Sequence, residues 1–509
     1  MGQMYAFHKS VIGHSHITRG IPCEDSSASY ASEDGRFHIA MIADGHGQKK
    51  SFRSKVGSQA AVDVALECLK EFALATLRSP EAEDRFYQDI LGNPRYRQMT
   101  IRQLTDTIIA KWSDRIGEDY STNPPSEEEL GEYAEYYSDG KNMSKIYGTT
   151  LIAALRLPKC MILIHQGDGR CDVFYANGTV DQPIPWDDRC EGNVTTSFCD
   201  EDVAQSIRHC IIDTEKTPVV ACYVGSDGVE DAYRSQEGTH TFYRDLTCTL
   251  VEKYETDFDD YLEAMLPEFS AYGRFSATGS LDDVSVAGIV DVDVAREMVD
   301  QFRTEVHKYG LNEDLFWKED ALRSKTRGHG ILTRRKDEAW TKFHQAEKDF
   351  HRMEAELASM RSKKSSLDEY IEQMQQRVQT DRTAFEDFKN ALRECLNSDT
   401  EPLDDKLRAA FRIFKEGSPE ILNEFIEKLR SGVTQGEGVL NRKIAERTDL
   451  ERKIAEKEAA KAAAQVNLDE LWKLGDQAQR TFDEYDAKFQ SIARQIQELK
   501  EQIAALTQE

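Results

Sequence analysis

The chain has 509 residues, more than one hydrophobic core usually organises, so two or three domains are expected. An apolar fraction of 39% beside a charged fraction of 31% fits a globular part joined to an exposed helical part. The formal charge of -27 repels nucleic-acid phosphate and anionic membrane, which excludes both as expected partners.

In chain order, the N-terminal MGQMYAFHKS lacks the apolar stretch of a signal peptide. No window approaches 18 continuous apolar residues, so no membrane-spanning helix is expected. Ten cysteines without a CxxC pair suit buried, reduced thiols, and a cytoplasmic location is expected. Apolar runs at 37–43, 149–157, 160–165, 219–225 and 284–290, set among Gly, Asp and Asn turns, predict buried strands. Ala176-Asn177-Gly178 predicts a hairpin turn after CDVFY. Apolar residues recurring every four positions predict helices over 56–72 and around Leu104–Ile116. The acidic, Tyr-rich stretch 126–145 reads as a surface loop or short helix.

Beyond 330 strand signals nearly vanish. Apolar residues step by 3 and 4 from Phe343 to Leu392, and again from Leu440 to Leu506. A mean period of 3.5 predicts coiled-coil helices. At about 1.5 Å per residue they are roughly 75 and 100 Å long. The turn-rich segment 397–438 between them predicts two short amphipathic helices and a chain reversal. An antiparallel hairpin would bring Phe388 near Leu440, and Phe343 near Phe482; pairing between two chains is the competing arrangement.

Five acidic motifs occupy the first 300 residues: Glu24-Asp25 in PCEDSS, Asp44 in IADGHG, Asp168 in HQGDGR, Asp227 in GSDGVED and Asp282-Asp283 in GSLDDVS. The last four adjoin apolar runs, and carboxylates at strand ends can converge on one rim of a sheet. Converging carboxylates repel unless a cation sits among them, and hard cations such as magnesium or manganese suit oxygen donors.

Together with Gly148-Thr149-Thr150, this ordered series resembles that of the type-2C (PPM-family) metal-dependent serine/threonine protein phosphatases, over roughly residues 10–290. The flank SHITRGIPCEDSS resembles the bacterial branch. The resemblance implies an α+β fold, a two-sheet antiparallel β-sandwich flanked by helices, with a metal cleft at one end. It implies a phosphatase domain over 1–300; behind it the change of sequence character and the 3-4 periodicity predict a helical linker over 301–335 and a coiled-coil region over 336–509, with a short helical insert at about 397–438. The resemblance also implies two Mn²⁺ or Mg²⁺ ions, and a third at a weaker site. By resemblance Asp44 bridges the two ions with the Gly45 carbonyl beside it; Asp227 and Asp282 hold one ion; Glu24 and Asp25 hold the other; Asp168 lies near the third. His46 matches a proposed general acid, and Arg19 a phosphate-binding arginine.

Some positions depart from the family pattern. Gly20 stands where many members place that arginine, and GDGR replaces GDSR. The segment 186–218 falls where the family has a variable flap; Asp187 and Asp188 there are expected to be solvated loop acids. The expected substrate is a phosphoprotein, and the tail is expected to bind a coiled-coil partner or self-associate. The alternative is a pseudophosphatase that keeps the fold as a scaffold.

Overall fold

The computed structural model describes residues 2–137, 140, 142–190, 194–254, 257–276, 278–416 and 419–508. Ten strands form two antiparallel five-stranded sheets. They are β1 (Met4–Val11), β2 (Ser26–Ala31), β3 (His38–Ala43), β4 (Leu151–Arg156), β5 (Cys160–Gln166), β6 (Arg170–Tyr175), β7 (Val180–Asp181), β8 (Arg208–Asp213), β9 (Val219–Gly225) and β10 (Val284–Asp291). One sheet has the order β1-β10-β9-β6-β7, the other β2-β3-β4-β5-β8. Ala40, Ile42, Ile152 and Leu163 of one sheet meet Val173, Cys222, Val224 and Ile289 of the other in a central layer. The opposite face of each sheet is buried too. Helices Ser54–Thr76 and Pro94–Thr122 cover the second sheet, and helices Gln236–Lys253 and Phe258–Tyr272 cover the first. Burial on both faces removes polar alternation, which is why β3, β5 and β9 read as continuous apolar runs.

All five expected strands are present within a residue or two of their expected ends. The turn at 176–178 joins β6 to β7, with Gly178 at φ +85°. In the stretch 126–145, Ser126 and Glu129 close a capping box on a four-residue helix, and Tyr137 is buried among mostly exposed neighbours, so this is a surface segment with short helices. Its Ser138, Asp139 and Lys141 lie outside the described residues, as does Gly417 of the later turn-rich segment.

Contacts divide the chain into two units, residues 1–319 with 496–509, and residues 320–495. The first unit therefore runs past residue 300. Phe302 joins the core beneath the first sheet, and Glu305 and Glu313 pair with Arg244 and Arg234. The expected linker 301–335 is part of one continuous helix, Val292–Ser398.

In the second unit this helix and Pro419–Gln508 run antiparallel. His329 pairs with Asp486, Trp340 abuts Gly475, Lys364 pairs with Glu451 and Arg382 with Glu437, so partner numbers fall as residue numbers rise. A helix Asp405–Lys415 closes the tip, its Ala410 and Phe411 packing on Leu392 and Leu422. The register differs from the expected one: Phe388 faces Phe425, ring centroids 6.2 Å apart, because the second long helix begins at Pro419 and takes in Gly432, Gly436 and Gly438.

Candidate active site

The acidic motifs converge at one end of the sandwich because each lies where a strand stops or starts. Asp44 follows β3, and the neighbouring Gly148-Thr149-Thr150 segment clasps its backbone. The Asp44 N–H donates to Thr150 Oγ1 at 2.9 Å, and its carbonyl accepts from the Thr150 N–H and the Thr149 hydroxyl. A side chain at Gly148 would place Cβ 2.4 Å from the His46 ring, so the glycine makes room for the histidine. Asp227 opens a one-turn helix after β9. Asp168 follows β5 across Gly167, whose φ of +114° is a glycine conformation. Asp282 and Asp283 immediately precede β10, and Asp25 immediately precedes β2.

Asp25, Asp44, Gly45, His46, Asp168, Asp227, Asp282 and Arg19 all line one cavity of about 490 Å³. Glu24 is not among its lining residues. Its carboxylate accepts from the Ser54 hydroxyl at 2.6 Å, behind Gly45 and Gly47. Arg19 is exposed at the rim, where its guanidinium donates to the Ser15 carbonyl and hydroxyl.

The cavity is electrostatically crowded. Burial, then the charge of Asp283, pushes Asp25 up to about 8. Burial, then Asp168, pushes Asp227 up to about 7. Burial raises Asp44 well above the usual carboxylate range, with Asp25, Asp227 and Asp168 adding to it. Burial also lowers His46, which Asp168 and Asp200 oppose. Asp25 Oδ2 is buried and has no hydrogen-bond partner. A buried carboxylate oxygen without a donor, among other carboxylates, is a site short of positive charge. The oxygen donors of Asp25, Asp44, Asp227 and Asp282 and the Gly45 carbonyl fit a hard divalent cation.

Further wall residues have roles that their sequence motifs do not show. Asp283 accepts from the Gly13 N–H at 2.6 Å and the Glu24 N–H at 2.7 Å, tying two loops to the start of β10. Arg170 pairs with Glu230 at 2.7 Å and lies 3.8 Å over the Trp186 ring. His16, Asp231, Cys190 and Thr195 also line the cavity. In the flap-like segment, Asp187 is buried against Arg189 and Arg208 rather than solvated; Asp188 is exposed. Glu191, Gly192 and Asn193 of that segment lie outside the described residues.

The protein phosphatase 2C family model matches residues 12–267, half of the chain, and takes in β2 to β9 and all of the cavity wall except Asp282 and Asp283. The chain belongs to the protein phosphatase 2C family and is a protein serine/threonine phosphatase. No curated protein matches it. Among solved structures it is similar to the serine/threonine phosphatase Stp1 of Staphylococcus aureus, at 17% identity and TM-score 0.33 over 57% of this chain and 95% of that one. It is also similar to the S. agalactiae serine/threonine phosphatase, at 14% and 0.34 over 57% and 99%. A third is the catalytic domain of PstP in complex with two manganese ions, at 14% and 0.33 over 56% and 97%.

Proposed function

We propose that the chain hydrolyses phosphoserine and phosphothreonine in proteins by a metal-dependent route centred on this cavity. The observation that carries the reading is the group of buried carboxylates, Asp25, Asp44 and Asp227, pushed far above their ordinary range in one cavity. Such a group is costly unless cations share it. Bound Mn²⁺ or Mg²⁺ would supply an acidified water as nucleophile and neutralise phosphoryl charge.

Asp44 and the Gly45 carbonyl, with Asp25, Asp227 and Asp282, are the residues to hold two ions; Asp168 stands beside them for a third. Glu24 supports the set from behind, through its backbone and Ser54. Arg19 at the rim can leave Ser15 to meet a phosphoryl oxygen. His46 is placed to return a proton to the departing serine or threonine oxygen. Its lowered pKa makes the imidazolium a stronger acid, though less populated at neutral pH. No nucleophilic cysteine is required; burial pushes Cys23 and Cys160 up to about 12, away from thiolate.

The helical unit suits partner binding or self-association through faces other than the apolar stripes, which the two long helices bury against each other. No helix among the described residues is long and apolar enough to cross a membrane. With all ten cysteines free, we place the protein in the reducing cytoplasm.

Aryl phosphate and phosphothreonine peptide, assayed with Mn²⁺, Mg²⁺ or EDTA, test the reading. Turnover is expected only with metal, and Asp44→Asn should lower it by orders of magnitude. Full turnover in EDTA would overturn the proposal.

A further inference from the structure

His16 stands among carboxylates and has no part in the chemistry above. It lies on the short helix His14–Arg19 and is only 6% exposed. Its Nδ1 lies 3.0 Å from Asp283 Oδ1, and its Nε2 lies 3.6 Å from Asp282 Oδ1. Among the described residues, the group of three with potential ligand atoms all within 4.8 Å of one another is His16, Asp282 and Asp283.

Two further observations bear on what this group does. First, Nδ1 is buried without an aligned hydrogen-bond partner. A buried polar atom in that state is costly, and a small turn of the ring that aligns Nδ1 on Asp283 Oδ1, 3.0 Å away, removes the cost. Second, the two aspartates are held differently. Asp283 is strapped by the Gly13 and Glu24 N–H groups, so it is a fixed post behind the ring. The Asp282 side chain is 52% exposed and faces the cavity. A histidine with a fixed carboxylate at one nitrogen and a cavity-facing carboxylate at the other has the layout of a metal-binding imidazole and its orienting partner.

We propose that His16 supplies its Nε2 to the divalent ion held by Asp282, with Asp283 orienting the ring from behind. This rests on the metal reading above and adds a nitrogen donor to an otherwise all-oxygen set. An imidazole is a softer donor than a carboxylate, so His16 would disfavour Mg²⁺, the hardest of these ions, more than Mn²⁺.

The test uses the full chain loaded with Mn²⁺. Electron spin-echo envelope modulation should show directly coordinated ¹⁴N. The signal should be lost in His16→Gln and kept in His46→Gln. Calorimetry on the same proteins should show Mn²⁺ affinity about tenfold or more weaker in His16→Gln, with Mg²⁺ affinity changed less. If His16→Gln does not fold, ¹⁵N-histidine labelling of the His46→Gln chain gives the same answer, because the ¹⁴N modulation should be replaced by the ¹⁵N pattern with His16 the one histidine left in the cavity lining. Bound Mn²⁺ without nitrogen modulation, or modulation unchanged in His16→Gln, would leave His16 as an ion-pair partner of the two aspartates and overturn the proposal. Absence of any bound Mn²⁺ would overturn the metal reading itself.

Discussion

Asp25 and Asp227 carry a penalty in the metal-free protein that has a definite pH dependence. Their folded-state values, about 8 and about 7, lie above the roughly 3.9 of an unfolded aspartate. Above the folded values both states are ionised and the folded state bears the whole repulsion. As pH falls the folded protein takes up protons first, so stability rises from about pH 8 downward. In EDTA the melting temperature should therefore be higher at pH 5.5 than at pH 8. Asp227→Asn should flatten that slope and raise the pH 8 value. Saturating Mn²⁺ should stabilise the unaltered chain most at pH 8. A metal-free melting curve independent of pH would refute this account. The acids themselves were legible in the sequence, since each adjoins an apolar strand or belongs to an ordered motif. Glu24 was legible as a family position, but its turn toward Ser54 was not. His16 and Trp186 reach the cavity from segments whose geometry no local pattern encodes.

Between elements, the first sheet is tied to its covering helix by a buried polar cluster. Asp172 on β6 has no exposed surface; it accepts from the Gln182 amide and lies 3.1 Å from His240 Nε2 on helix Gln236–Lys253. Burial alone would lower His240, but Asp172 and Glu237 outweigh it and raise it to about 9. Because this folded value is above the unfolded one, the stabilisation is complete below about pH 6.5 and is lost as pH rises through about 9. His240→Gln should lower the melting temperature at pH 6.5 and converge on the unaltered chain near pH 10. A constant difference across that range would show that the ring acts by packing alone. None of this pairing was visible in the sequence, because His240 and Asp172 are 68 positions apart. The sheets were legible only where strands are buried on both faces. β1, β2 and β8 are mixed and half-exposed, so they lack an apolar run.

On the scale of the whole chain, the sequence marks the second half as long paired helices but leaves the register open. A 3-4 apolar repeat matches itself at every heptad, so many alignments satisfy the stripe equally well. Register is set instead by the length of the connection and by close contacts. The connection is shorter than its glycines suggest, since Pro419 already opens the second long helix. Helical glycines cost up to about 1 kcal/mol each but allow tight approach. A side chain at Gly436 would put Cβ 3.2 Å from Val378, and one at Gly475 would put it 3.3 Å from the Trp340 ring. Lys457 and Lys461 reach Glu356 and Glu354 in the same register. A cysteine pair at Phe388 and Phe425 should therefore form a disulfide within one chain at any protein concentration, while a pair at Phe388 and Leu440 should not. Crosslinks only between chains, growing with concentration, would instead establish pairing of two copies. Gly475→Leu should test the register independently, by destabilising the helical pair through overlap with Trp340, whereas leucine at Gly438, with nothing within 4 Å, should be tolerated.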